Sequence, residues 1–141
     1  MEIRPGGVPK KRAIEDMPPS MPDSPHALGV HGERVARDYL RCRGFRIKEL
    51  GFRFGQGEID IIAYEKEVLV FVEVKTRDSS SSSHPEESVT PEKQRQIRRV
   101  AEAYLFHRRL EDSKCRFDVL AIRFVRESRE YRIRHYRDAF D

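Results

Sequence analysis

The chain has 141 residues, 37% of them charged and 38% hydrophobic, which fits one domain and leaves room for a modest core only if the apolar residues are well segregated, as they are between residues 30 and 125. Its two cysteines, Cys42 and Cys115, lack C-x-x-C spacing, which argues against a cysteine zinc site, and no apolar run nears the ~20 residues that span a bilayer. A net charge of +4 and a pI near 9.2 lean mildly towards a polyanionic partner.

Residues 1 to 26 hold six prolines, the pair Gly6-Gly7 and the basic triplet Lys10-Lys11-Arg12. Such a composition buries too little apolar area to offset ordering entropy, so a flexible tail is expected, with the folded domain over 27–141. With no apolar leader in this stretch, the expected location is cytoplasmic, away from membranes. The first helix is expected from Gly32 to Arg43. Val35, Ala36, Tyr39 and Leu40 recur at helical spacing, and Gly44 ends the helix. Glu33 falls at the border of that apolar stripe and in the first turn, where an acid also complements the helix dipole. Phe45, Ile47 and Leu50 suggest a short strand, after which Gly51, Gly55 and Gly57 form a permissive turn region.

Residues 57–64 and 68–75 then read as two strands of a hairpin, rich in Val, Ile and Phe. Side chains alternate faces along a strand, which sets Val68, Val70, Val72 and Val74 on one face and Leu69, Phe71, Glu73 and Lys75 on the other. A connection of even length, such as Lys66-Glu67 or Glu65-Lys66, puts Asp60 on the face of Glu73 and Lys75. The Ser-rich segment from Asp78 to Pro85 follows as a flexible loop, and His84 within it is expected to be a loop histidine. Thr90-Pro91 starts a second helix, with Thr as N-cap and Pro at the first position. Ile97, Val100, Ala101, Tyr104 and Leu105 form its buried stripe, out to about Arg109, and His107 belongs to its surface. Residues 117–125 alternate into another strand, and 131–136 into a last, edge-like one heavy in Arg. The order predicts an α/β fold in which one mixed sheet is flanked by helices.

Two acids and a lysine inside apolar strands call for compensation, because an unpaired buried carboxylate is costly. A structural ion pair is one solution and a divalent cation is another. Phosphodiester hydrolysis needs an activated water and relief of charge on the phosphate, and Mg²⁺ or Mn²⁺ held by carboxylate oxygens supplies both. Asp60 and Glu73 would be ligands, with the main-chain carbonyl of Val74 a third oxygen. Lys75 would orient the attacking water or stabilise the pentacovalent phosphate.

Gly32-Glu33-x-x-Ala36-x-x-Tyr39-Leu40, Gly44-Phe45, Gly57-Glu58-Ile59-Asp60 and Phe71-Val72-Glu73-Val74-Lys75-Thr76-Arg77 together resemble the YraN family. These small bacterial proteins are similar to Holliday junction resolvases and restriction endonucleases. Arg116-Phe117-Asp118-Val119 and the segment from His135 to Phe140 continue the match, which covers residues 29 to 140. The resemblance implies a restriction-endonuclease-like core and a PD-(D/E)-x-K site at Asp60, Glu73 and Lys75. It also makes Glu33 the helix-borne acid of resolvase-like members. Ile59 stands where the wider superfamily often has Pro. Junction-cutting relatives act as dimers, so a homodimer is also in view.

On the second helix, Lys93 and Gln94 lie on the core-facing side near its start and could border the site. Arg95, Arg98 and Arg99 face outward, where they would contact phosphates, as would Arg77. Arg53, Arg132 and Arg134 are weaker candidates. Recognition is therefore expected through backbone or shape. The leading expectation is a Mg²⁺- or Mn²⁺-dependent nuclease acting on DNA ahead of RNA. The alternatives are a non-catalytic nucleic-acid-binding module on the same fold and, below it, a structural protein with an ion-pair network.

Overall fold

The computed structural model describes residues 10–12, 25–78 and 89–141. The elements, in order, are β1 (Lys10–Arg12), α1 (Pro25–Cys42), β2 (Arg46–Phe54), β3 (Gly57–Glu65), β4 (Val68–Asp78), α2 (Pro91–His107), β5 (Cys115–Val125) and β6 (Glu130–Phe140). They form one mixed sheet of order β1-β6-β5-β4-β3-β2. Only the β4–β5 pair is parallel, and α2 lies within the connection that makes it so. The α/β class with a mixed sheet and two helices, consistent with a restriction-endonuclease-like core, is thereby established.

Each helix covers one face of the sheet. Val35, Ala36, Tyr39 and Leu40 of α1 pack on Ile61, Ala63, Val70, Val72, Leu120 and Ile122. On the other face, Ile97, Val100, Ala101 and Tyr104 of α2 pack on Ile62, Leu69, Phe71, Val119 and Ala121. The central strands β4 and β5 are thus apolar on both faces, as a strand buried on both sides must be. Thr90 caps α2 as its sequence indicates, accepting the Lys93 N–H at 3.2 Å.

Helix α1 starts at Pro25, seven residues before the expected Gly32. Gly32 is therefore no boundary. A Cβ there would stand 2.1 Å from Thr76 Oγ1 on β4, so the glycine lets α1 lie directly on the sheet. The helix has no acid in its first turn, and Glu33, two turns in, has no dipole role there. Strand β2 continues through Gly51 to Phe54, and the turn is confined to Gly55 and Gln56. The last strand runs to Phe140 and is not an edge, since β1 pairs outside it with Lys10 opposite Ile133. The remainder of the expected tail lies outside the described residues, as do the Ser-rich loop and His84.

Candidate active site

The hairpin closes on the two-residue connection Lys66-Glu67, with Glu65 opposite Val68 and Lys66 in the left-handed region at φ 54°. That parity is the one that places Asp60 across from Glu73. Pairing between β3 and β4 runs from that turn to Ile61↔Val72 and stops there. Beyond it, β3 stays with β2 down to Gly57↔Phe54, while β4 stays with β5 up to Asp78↔Phe124. The two strands part into a fork, and the acids stand at its base.

Asp60 fills the first gap in the ladder. Its Oδ2 accepts the Val74 N–H at 2.8 Å. Within a strand, the N–H and C=O of one residue point to the same neighbour, so the Val74 carbonyl also opens into the fork. Around Asp60 the in-and-out alternation slips once: Ile59 and Ile62 pack on the α2 side, Ile61 on the α1 side. The register sets Gly51 of β2 opposite this slip, at φ +63°, a conformation that needs glycine. The kink lets one carboxylate face both Val74 and the acids beneath α1.

The electrostatics of this base are strained. Burial raises the Asp60 pKa, the Glu73 carboxyl beside it raises it further, and the Val74 N–H and Lys75 offset only part, leaving it at about 8. Glu73 is 5% exposed, and its Oε2 has no hydrogen-bond partner among the described residues. The ammonium groups of Lys75 and Lys93 stand 3.7 and 3.5 Å from that oxygen, as ion pairs beyond hydrogen-bonding reach. The close seat of α1 at Gly32 brings Glu33 in from the other side. Glu33, Glu58 and Asp60 each offer an oxygen within 4.8 Å of the others. Burial raises the Glu33 pKa, Asp60 and Glu58 add to it, and Arg37 opposes them.

Glu58 is the member that sequence reasoning gave no role. Its signal was present, because a residue two before Asp60 on a strand is a candidate for the same side. It is also paired with the exposed Arg53. Of the expected nucleic-acid contacts, Lys93 reaches the acids, and Gln94 is fully buried with its Nε2 donating to the Val89 carbonyl at 3.2 Å. Arg95 and Arg99 line an open cavity of 540 Å³ with Thr90, Glu92, Lys93 and Gln96. Arg98 is not part of that strip: it is half-buried and donates to the Asp141 carbonyl at 3.0 Å. Arg77 is half-buried near the far end of β4 and donates to the Thr76 carbonyl.

A second polar cluster, unassigned from sequence, sits on β5 and β6. Asp118 is fully buried and accepts from His135 Nε2 at 2.8 Å, Arg116 Nε at 2.9 Å and the Asp138 N–H at 2.9 Å. His135 Nδ1 meets the Tyr39 hydroxyl at 3.2 Å, and Arg116 continues to Glu65 at 2.7 Å. Burial alone would raise the Asp118 pKa, but these donors overcome it and hold the carboxylate below its ordinary value. Every donor points inward and α1 is tied to the sheet through Tyr39, so this cluster holds the fold together. Both cysteines are free, and no helix among the described residues is long and apolar enough to cross a membrane.

Comparison with known sequences points one way. The family model described as "Uncharacterised protein family UPF0102", which is the YraN family, matches residues 32–122, a span that holds every acid of the fork. A UPF0102 protein of Chlorobaculum parvum is 47% identical over 123 residues, covering 83% of this chain and 94% of the relative. One from Chlorobium limicola is 44% identical over 124 residues, covering 85% and 96%. A third, from Syntrophotalea carbinolica, is 46% identical over 115 residues, covering 82% and 92%.

Proposed function

The chain belongs to the uncharacterised protein family UPF0102, and from that premise we propose that it is a metal-dependent nuclease that hydrolyses phosphodiester bonds, of DNA ahead of RNA. One observation carries the reading. Asp60 and Glu73 are brought together at the base of the β3–β4 fork, so the first holds a proton to about pH 8 and the second has a buried oxygen without a hydrogen bond. Folding alone gains nothing from such a pair. A divalent cation resolves both costs, and an all-oxygen donor set suits the hard ions Mg²⁺ and Mn²⁺.

Asp60, Glu73 and the Val74 carbonyl would hold the ion, with Glu33 and Glu58 on its α1 side. When bound, the ion supplies Lewis-acid relief of phosphate charge and a more acidic water. Lys75 is near enough to the acids to orient that water or to neutralise the phosphate in the transition state. Lys93 approaches the same carboxylate from the start of α2, and Arg95 and Arg99 extend its charge along the cavity as phosphate contacts. Among the described residues no group is arranged to read base edges, so selectivity would rest on the shape of the nucleic acid.

The test is a panel of linear, nicked, flapped, single-stranded and four-way-junction DNA, incubated with Mg²⁺ or Mn²⁺. Cleavage of at least one substrate, lost in Glu73→Ala and in Lys75→Ala, is expected. Binding without metal-dependent cleavage across the panel would leave the second reading, a non-catalytic binding module. That reading is favoured by the two lysines that already neutralise Glu73.

A further inference from the structure

The register of the sheet lines up cations that have no part in the fork. Arg77 of β4 pairs with Arg123 of β5, and Arg123 pairs with Arg132 of β6. The backbone of β1 then brings Lys11 to the position opposite Arg132. The preceding row holds Lys75, Ala121 and Arg134. Ala121 belongs to the α2-side core, whereas Tyr131 and Ile133, which flank Arg132 and Arg134 in sequence, belong to the α1-side core. The arginines therefore share the face of Glu73 and Lys75.

Neighbouring strands are about 4.8 Å apart, so three guanidinium-bearing positions span about 10 Å across the sheet. Like charges directly opposite one another destabilise a strand pair. Among the described residues, Arg132 and Arg134 are exposed and meet no carboxylate, and the next acid along β6, Glu130, accepts from Ser128. Arg123 is anchored by the Asp78 carbonyl at 3.2 Å, which orders the middle of the row. A row of like charge on one face of the sheet, beginning two residues beyond Lys75 and exposed at Arg132 and Arg134, is a surface that attracts a polyanion.

We propose that this face of β4, β5 and β6 is a phosphate track, along which Arg77, Arg123, Arg132 and Arg134 carry the backbone of a DNA strand away from the metal site towards the β1 edge. The proposal rests on the nuclease reading and adds a direction to it: the substrate is held on the β6 side as well as along α2. It is tested with Arg132→Ala/Arg134→Ala, since both side chains are exposed and neither anchors the fold. Anisotropy of a short fluorescent DNA duplex is followed as salt is raised, with Ca²⁺ in place of the catalytic ion. The expected result is weaker binding, a salt slope reduced by about one for each lost contact, and thermal stability equal to or above that of the parent. Arg132→Lys/Arg134→Lys should restore the slope. Unchanged affinity and slope in the alanine variant, with loss in Arg95→Ala/Arg99→Ala, would overturn the track and leave the nuclease reading standing. If the parent protein binds no DNA at all, both fall.

Discussion

Replacing Asp60 with Asn should stabilise the protein in the absence of metal, and by an amount that grows with pH. The carboxyl would titrate at 3.8 in an unfolded chain and at about 8 in the fold. Its folded pKa is raised, so between those values the folded state binds the extra proton and stability falls as pH rises. At about 1.4 kcal/mol for each pH unit, the penalty at pH 7 reaches about 4 kcal/mol, or nearer 2 once water at the half-buried carboxyl is allowed for. Asn needs no proton and can still accept the Val74 N–H. The gain should be absent near pH 4, appear as pH rises, and level off near pH 8. Urea unfolding in EDTA at several pH values measures it, and Mn²⁺ should then stabilise the parent, most strongly near pH 8, but not the variant. A variant less stable than the parent in EDTA, or a gain that does not change with pH, would refute the argument that the fork stores this strain.

Gly32→Ala should cost about 1–3 kcal/mol by overpacking against Thr76 and should be partly rescued by Thr76→Ala, read by thermal melts. If the single variant is neutral, α1 does not depend on this close approach. Asp118→Asn should cost about 3–5 kcal/mol, because Arg116 and His135 lose a buried partner. Its carboxylate pKa is depressed in the fold, so the parent should lose this stability only as pH falls below about 4, and the variant should show a weaker acid transition. Glu73→Ala and Lys75→Ala should each reduce metal-dependent cleavage about 100-fold or more. Calorimetry should show Mn²⁺ affinity lost in the first and largely kept in the second.

Much of the site can be read from residue types, because strand periodicity is short and the hairpin turn leaves little choice. Once Lys66-Glu67 closes β3 on β4, Asp60 and Glu73 must meet. The Thr90-Pro91 start of α2 is equally local. What escaped the sequence depends on contacts between distant segments. Gly32 looks like a helix boundary until Thr76 is seen against it. Glu58 becomes a site residue only because α1 sits close enough to bring Glu33 over it. Asp118 and His135 lie on separate strands, and their partnership follows from a register that no local pattern encodes. The outward strip expected from helical spacing lost Arg98 for the same reason, since its acceptor is the last residue of the chain.

The fork divides the molecule by mutational tolerance. Glu73 and Lys75 stand on a strand whose β5 side is paired past both of them, so their spacing is preserved whatever happens across the gap. The β2–β3 hairpin beyond the fork has no ladder pairing to β4; it is held by its own pairing and by α2, through Gln96 on the Gln56 carbonyl and Phe52 against Tyr104. Exchanges at its exposed residues, such as Phe54 and Gln56, would leave the β4–β5 pairing of Glu73 and Lys75 untouched, whereas Gly51, Gly57 and Glu58 are fixed by backbone conformation, by Val100 of α2 and by the acid cluster. Under the nuclease reading, change at those exposed tip positions would alter what approaches the fork while Glu73 and Lys75 keep their spacing.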